Sequence, residues 1–222
     1  PAVAKAVPVS EATAVPLRAL GCPVDVRPNG VTWPVDPVPL DVHEPPVVGS
    51  AALLVGWKGH EVLLEAIARL PDVRLELAGG HLPADEHYVA ALHTRAEAPD
   101  LAGRVRFLGP VDAMAAMRPW NVAVLASTSP EAGPLSILEA MSLGLPVVAT
   151  DHGGSAEYLR DGRGVLAQPG DPDDLAASIE AALDPTWRAE FATAGRSFVA
   201  AHHDRAQTLP AQYRAMLEPI HD

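Results

Sequence analysis

The sequence holds a single cysteine, Cys22, so no internal disulfide can form. That scarcity fits a reducing compartment such as the cytoplasm. Lysine is nearly absent, with only Lys5 and Lys58 beside fourteen arginines. Positive charge is short overall: 16 basic against 28 acidic side chains give a formal net charge of −12. A surface of that sign repels polyphosphate, so nucleic acid is not an expected partner. Without a polybasic cluster, an anionic membrane face is not expected either. No apolar run reaches the roughly 18 residues of a transmembrane segment. Residues 1–9 show no basic stretch leading into an apolar one, so no leader is expected. No G-x-G-x-x-G follows the first apolar strand, which argues against a dinucleotide-binding domain. Nor do His, Asp and Cys gather at metal-ligand spacing. His202 and His203 would point about 100° apart on a helix, a poor chelate, and are expected to be solvated. Neither metal nor cofactor is therefore expected.

What is present is an apolar content of 48% over 222 residues, enough for one sizeable core. Residues 1–46 carry ten of the 23 prolines. They read as a short helix at about 10–20, a strand at about 24–28 and an extended connector too proline-rich for a central strand. From Val47 onward, strands and helices alternate. Strands are expected at 47–54, 73–78, 105–108, 122–126, 146–149 and 165–167. Helices are expected at 58–70, 84–96, 111–117, 134–143 and, near the end, at about 171–184, 186–201 and 205–219. Leu63, Ile67 and Leu70 share one face of the first of these. Alternation with continuously apolar strands predicts an α/β fold, a doubly wound parallel sheet of Rossmann-like type covered on both faces. Ligands in such folds sit beyond the carboxyl ends of the strands.

The informative stretch is STSPEAGPLSILEAMSLGLPVVATDHGG, residues 127–154. A strand delivers a loop of small residues, and Gly133-Pro134 leads into a helix. Pro134 suits the first helical position, where its missing N–H costs nothing. The free N–H groups of Leu135 and Ser136 then make either an ordinary strand–helix turn or an anion site at a helix start. Glu139 is the one charged residue between Ala132 and Thr150. A carboxylate on a core-facing helix is costly unless hydrogen-bonded. A protein donor or a ligand diol, such as a ribose, would satisfy it. Glu131 precedes it at the spacing E-x7-E. Thirteen glutamates in this length give about one such pair by chance, so only the strand, Gly-Pro and helix around it lend it weight.

With these residues in view, the stretch from Ser127 to Ile179 resembles the donor-binding signature of retaining glycosyltransferases of the family-four, GT-B type. WKGHEVLLEAIARL (57–70), VRLELAGG (73–80), RVRFLGPV (104–111) and NVAVLAS (121–127) match that family upstream, in order. The resemblance implies a GT-B C-terminal domain at 47–222, preceded at 1–46 by a remnant of the N-terminal acceptor domain and a proline-rich linker. It implies that Lys58 reaches the diphosphate of a nucleotide diphosphate sugar, which is substrate rather than cofactor. Glu131 would meet hydroxyls of the transferred sugar, and Lys58 and Glu131 together would serve the catalytic step. Gly133, Pro134, Leu135 and Ser136 would supply backbone contacts, and Glu139 would hold the ribose. The backbone near Val111 would border the base or form a simple turn.

The implied reaction is hexosyl transfer with retention, without a metal. Three departures stand out. Leu53 occupies the place where the family usually has a second, arginine cation. Asn121 stands where the family often has Asp. The acceptor half is absent, so a missing N-terminal domain or a partner chain would complete the cleft. Leu209, Tyr213 and Leu217 on the last helix would be exposed or covered by a second copy in a homodimer. A non-catalytic partner or activator of another glycosyltransferase is the rival reading. A sugar-nucleotide epimerase is a further one, against which the PLSILEAM run and the glutamate pair argue.

Overall fold

The computed structural model of the chain describes residues 5–217. Helix α1 spans Glu11–Ala19, and its start is capped by Ser10, whose hydroxyl accepts from the Thr13 N–H. Then follow β1 (Val47–Ala51), α2 (His60–Ala68), β2 (Arg74–Ala78), α3 (Glu86–Ala96), β3 (Val105–Gly109), α4 (Ala113–Met117) and β4 (Val122–Leu125). The second half contains α5 (Leu135–Leu143), β5 (Val147–Thr150), α6 (Gly153–Leu159), β6 (Val165–Ala167), α7 (Pro172–Leu183), α8 (Pro185–His202) and α9 (Arg205–Leu217). The expected end of the last helix, residues 218–219, lies outside the described residues.

All six strands pair in parallel, in the order β3-β2-β1-β4-β5-β6. One core layer packs α2 and α7 residues such as Leu63, Ile67 and Leu175 under the sheet. The other packs Ile137, Leu138 and Met141 of α5 against the opposite face. Strands β4 and β5 are buried along their whole length, as both-sided covering requires. Trp120 fills the space beneath β1. A Cβ on Gly49 would lie 1.9 Å from its ring, so only glycine fits mid-strand. The indole N–H donates to Glu76 at 3.0 Å, and Arg106 donates to the other oxygen of that carboxylate at 2.7 Å.

Several boundaries differ from the sequence reading. No strand forms at 24–28; Val24 makes only a bridge to Ala6. Pro134 is the N-cap of α5 rather than its first residue, with extended ψ of 119°. Lys58 ends a short 3₁₀ turn, Gly56–Lys58, one residue before Gly59 caps α2. Helix α6, absent from the sequence reading, begins at Gly153-Gly154. The connector at 31–46 is not loose, because Val31 and Val38 are buried in the core layer with α5. Asn121 is buried and holds that connector. Its Oδ1 accepts from the Val47 N–H at 2.8 Å while its Nδ2 donates to the Asp41 carbonyl at 3.0 Å. A carboxylate could make only the first of these bonds.

Candidate functional site

Strands β1 and β4 are neighbours where the strand order reverses, so their following loops diverge and leave a crevice. The loop after β1 carries Lys58, and the loop after β4 carries Glu131. Lys58 Nζ and Glu131 Oε1 form an ion pair across that crevice, with side-chain exposures of 14% and 8%. The Ser127 hydroxyl donates to the same carboxylate oxygen at 2.6 Å. The ammonium also lies 4.3 Å from the Trp57 ring centre, a cation–π contact that screens it from one side.

The two loops are tied down from below. The Ser127 carbonyl accepts from the Thr150 hydroxyl at 2.8 Å and from His152 Nε2 at 2.9 Å. The Thr128 N–H donates to the Trp57 carbonyl at 2.9 Å, joining one loop to the other. Gly59 has φ of +67°, and a Cβ there would sit 2.0 Å from the Ala126 carbonyl oxygen. Glycine thus lets α2 begin directly against the end of β4. On the far side, the Gly154 N–H donates to the Glu131 carbonyl at 2.7 Å.

Helix α5 begins three residues beyond the Glu131 loop. No side chain caps it, so the N–H groups of Leu135 and Ser136 have neither a cap nor an intrahelical partner. The positive end of the helix dipole is therefore open to an anion. One turn on, Glu139 is partly buried, and among the described residues no donor bonds its carboxylate. Burial, and to a lesser degree the Asp112 charge, pushes Glu139 above the usual carboxylate range. Glu139 and Leu135 line a hollow of about 290 Å³ with Asn29, Met114, Arg205 and Gln212. Lys58 and Glu131 do not line that hollow; they stand at the other end of the 131–139 segment. Val111, after β3, is half exposed, and Pro134 is buried.

Asn29, Met114, Arg205 and Gln212 escaped the sequence reading, since nothing in their local pattern marks them. His203 was expected in solvent beside His202. Instead it is buried, edge-on to Tyr158 at 5.1 Å, with Nδ1 donating to the Asn29 carbonyl at 2.7 Å. The turn from α8 into α9 swings it inward, and burial lowers its pKa. Leu53 is half exposed, and its carbonyl accepts from His60 Nε2 at 3.0 Å. Tyr213 and Leu217 are exposed, whereas Leu209 is partly buried at the hollow. Among the described residues no three His, Cys, Asp or Glu side chains gather as a metal set, and no helix is long and apolar enough to cross a membrane.

A sheet reversal with a cation and a carboxylate facing each other there, beside an uncapped helix start, defines a parallel α/β domain with a ligand crevice. The chain belongs to the group 1 glycosyl transferases, whose family model matches residues 36–198. It is 36% identical over 177 residues to the lipopolysaccharide core biosynthesis glycosyltransferase LpsE of Rhizobium meliloti, covering 77% of this chain and 50% of that protein. It is 35% identical over 174 residues to the phosphatidyl-myo-inositol mannosyltransferase of Mycobacterium tuberculosis, covering 73% of this chain and 44% of that protein. The crystal structure of HepE from Anabaena in complex with UDP and glucose superposes with a TM-score of 0.87 at 26% identity, over 96% of this chain and 63% of that one. The fold is thus the Rossmann-like GT-B type. The chain spans about half the length of the curated relatives it matches.

Proposed function

We infer that this chain is the C-terminal, donor-binding half of a hexosyltransferase that uses a nucleotide diphosphate sugar and retains the anomeric configuration. The observation that carries this reading is the Lys58–Glu131 pair at the sheet reversal, one loop away from the uncapped start of α5. HepE, similar in fold and sequence, holds UDP and glucose, which supports the ligand class.

In this reading the diphosphate lies over the N–H groups of Leu135 and Ser136 and draws Lys58 toward it. Lysine and helix dipole then stabilise the charge that builds on the leaving phosphate. Glu131, released from Lys58, accepts hydroxyls of the transferred sugar. Glu139 accepts both ribose hydroxyls, the donors it otherwise lacks, and the backbone by Val111 borders the base. The anomeric C–O bond breaks with its electron pair leaving on the diphosphate. The acceptor hydroxyl oxygen bonds to the same face of that carbon, and its proton passes to the departing phosphate oxygen. The acceptor itself comes from a second wall of the cleft, an N-terminal domain or a partner chain.

Calorimetric titration with UDP-, GDP-, ADP- and TDP-sugars tests this. At least one should bind, and Glu139→Ala should weaken that binding about tenfold or more, the scale of one or two lost hydrogen bonds to a charged group. A flat response to all four would overturn the reading.

A further inference from the structure

The segment 27–31 lies between the last helix and the loop that starts α5, and it is bonded to both. On the helix side, the Val31 N–H donates to the His203 carbonyl at 2.8 Å, and the Arg205 N–H donates to the Val31 carbonyl at 2.9 Å. Gln212 Nε2 donates to the Pro28 carbonyl at 2.9 Å. The buried His203 ring adds its bond to the Asn29 carbonyl, so the Asn29 backbone is held from behind.

On the loop side, Asn29 Nδ2 donates to the Gly133 carbonyl at 2.8 Å. This is the one amide orientation that meets a carbonyl with a donor; the flipped amide would set oxygen against oxygen. Among the described residues no other side chain bonds residues 132–134. The Gly133–Pro134 peptide has no N–H, because its nitrogen belongs to proline. Its oxygen is therefore the only polar handle by which that peptide plane can be set. Space there is tight as well: a Cβ on Gly133 would meet the Tyr158 hydroxyl at 2.9 Å, Val9 Cγ2 at 3.1 Å and Asn29 Nδ2 at 3.2 Å. The next two residues are Leu135 and Ser136, whose N–H groups have no partner among the described residues.

We propose that Asn29 is a positioning residue for the donor diphosphate: by holding the Gly133 carbonyl it aims the free N–H groups of Leu135 and Ser136. The proposal rests on the donor-site reading above. Asn29 acts on the phosphates through that loop; because it also lines the hollow beside Glu139, the nucleoside serves as the control for any contact at the ribose. Glu139, one turn further along a rigid helix, keeps its place without it.

The test is competition calorimetry on the full chain with UDP, GDP, ADP and TDP and with the matching free nucleosides. For whichever diphosphate the native chain binds, Asn29→Ala should weaken the diphosphate about tenfold while leaving its nucleoside unchanged, the cost of one misdirected charge-assisted contact. Asn29→Asp keeps the shape and removes the donated hydrogen, so it should lose as much. Equal weakening of diphosphate and nucleoside would mean a merely structural role and overturn the proposal. Unchanged diphosphate affinity in both variants would overturn it while leaving the donor site standing. Failure of the native chain to bind any of the four would remove the donor site and the proposal together.

Discussion

Lys58 and Glu131, 73 residues apart in the chain, close on each other across the crevice between β1 and β4. The two charges neutralise each other across the crevice, and on the proposed reading a donor has to separate them.

Because both partners are largely buried, removing one should leave an uncompensated charge. Lys58→Met should lower stability by about 3–5 kcal/mol, with Ser127 left, among the described residues, as the only donor to the Glu131 carboxylate. Glu131→Gln in the same chain should recover much of that loss. Urea denaturation of the native chain, the two single variants and the double variant closes the cycle. Strictly additive losses would show that the two groups do not sense each other.

Glu139 predicts a pH signature. Its folded-state pKa lies above the ordinary 4.5. The folded protein then holds a proton that the unfolded chain has released, so stability falls as pH rises from about 4.5 through the folded value. Glu139→Gln should flatten that part of the curve. Thermal melts across pH 4 to 7 on both proteins would reveal it, and parallel curves would contradict the assignment.

Leu53 offers a gain rather than a loss. The residue is 50% exposed, and its carbonyl accepts from His60 Nε2 and from the Val55 N–H. Leu53→Arg should therefore fold normally and place a second cation near the crevice, tightening binding of the diphosphate about tenfold, in line with one charge-assisted hydrogen bond. Isothermal titration measures it. An arginine with no effect on affinity would mean that position 53 does not face the phosphates.

Much of the sheet was legible because its strands are short apolar runs between turn residues: 165–167 matches as expected, and 73–78 misses by one residue. Gly144 ends α5 with φ of +78°, as a glycine just past a periodic run should. The errors have physical reasons. The sequence reading has no helix at 153–159, yet α6 forms there, and the tight approach of the Glu131 and Ala132 backbone demands the two glycines at its start. The expected strand at 24–28 meets only a single bridging partner, so no ladder forms. His203 looked solvated beside His202 because nothing in the local pattern shows Tyr158 and Phe198 closing around it. At the candidate site, Glu139 stands out from its own sequence context, whereas Lys58 and Glu131 stand out through the family resemblance. The residues around them do not, since Ser127, Asn29 and Gln212 acquire meaning only when distant segments meet.

The indole of Trp120 against the bare backbone of Gly49 has an effect well above its own depth. Gly49 sits opposite Ala123, so this one fit sets β1 and β4 in step with each other. A slip by one residue would drive Val48 or Ser50 into the ring. The loops bearing the lysine and the glutamate are thereby launched from fixed heights, and the width of the crevice mouth is gauged by a tryptophan buried below it.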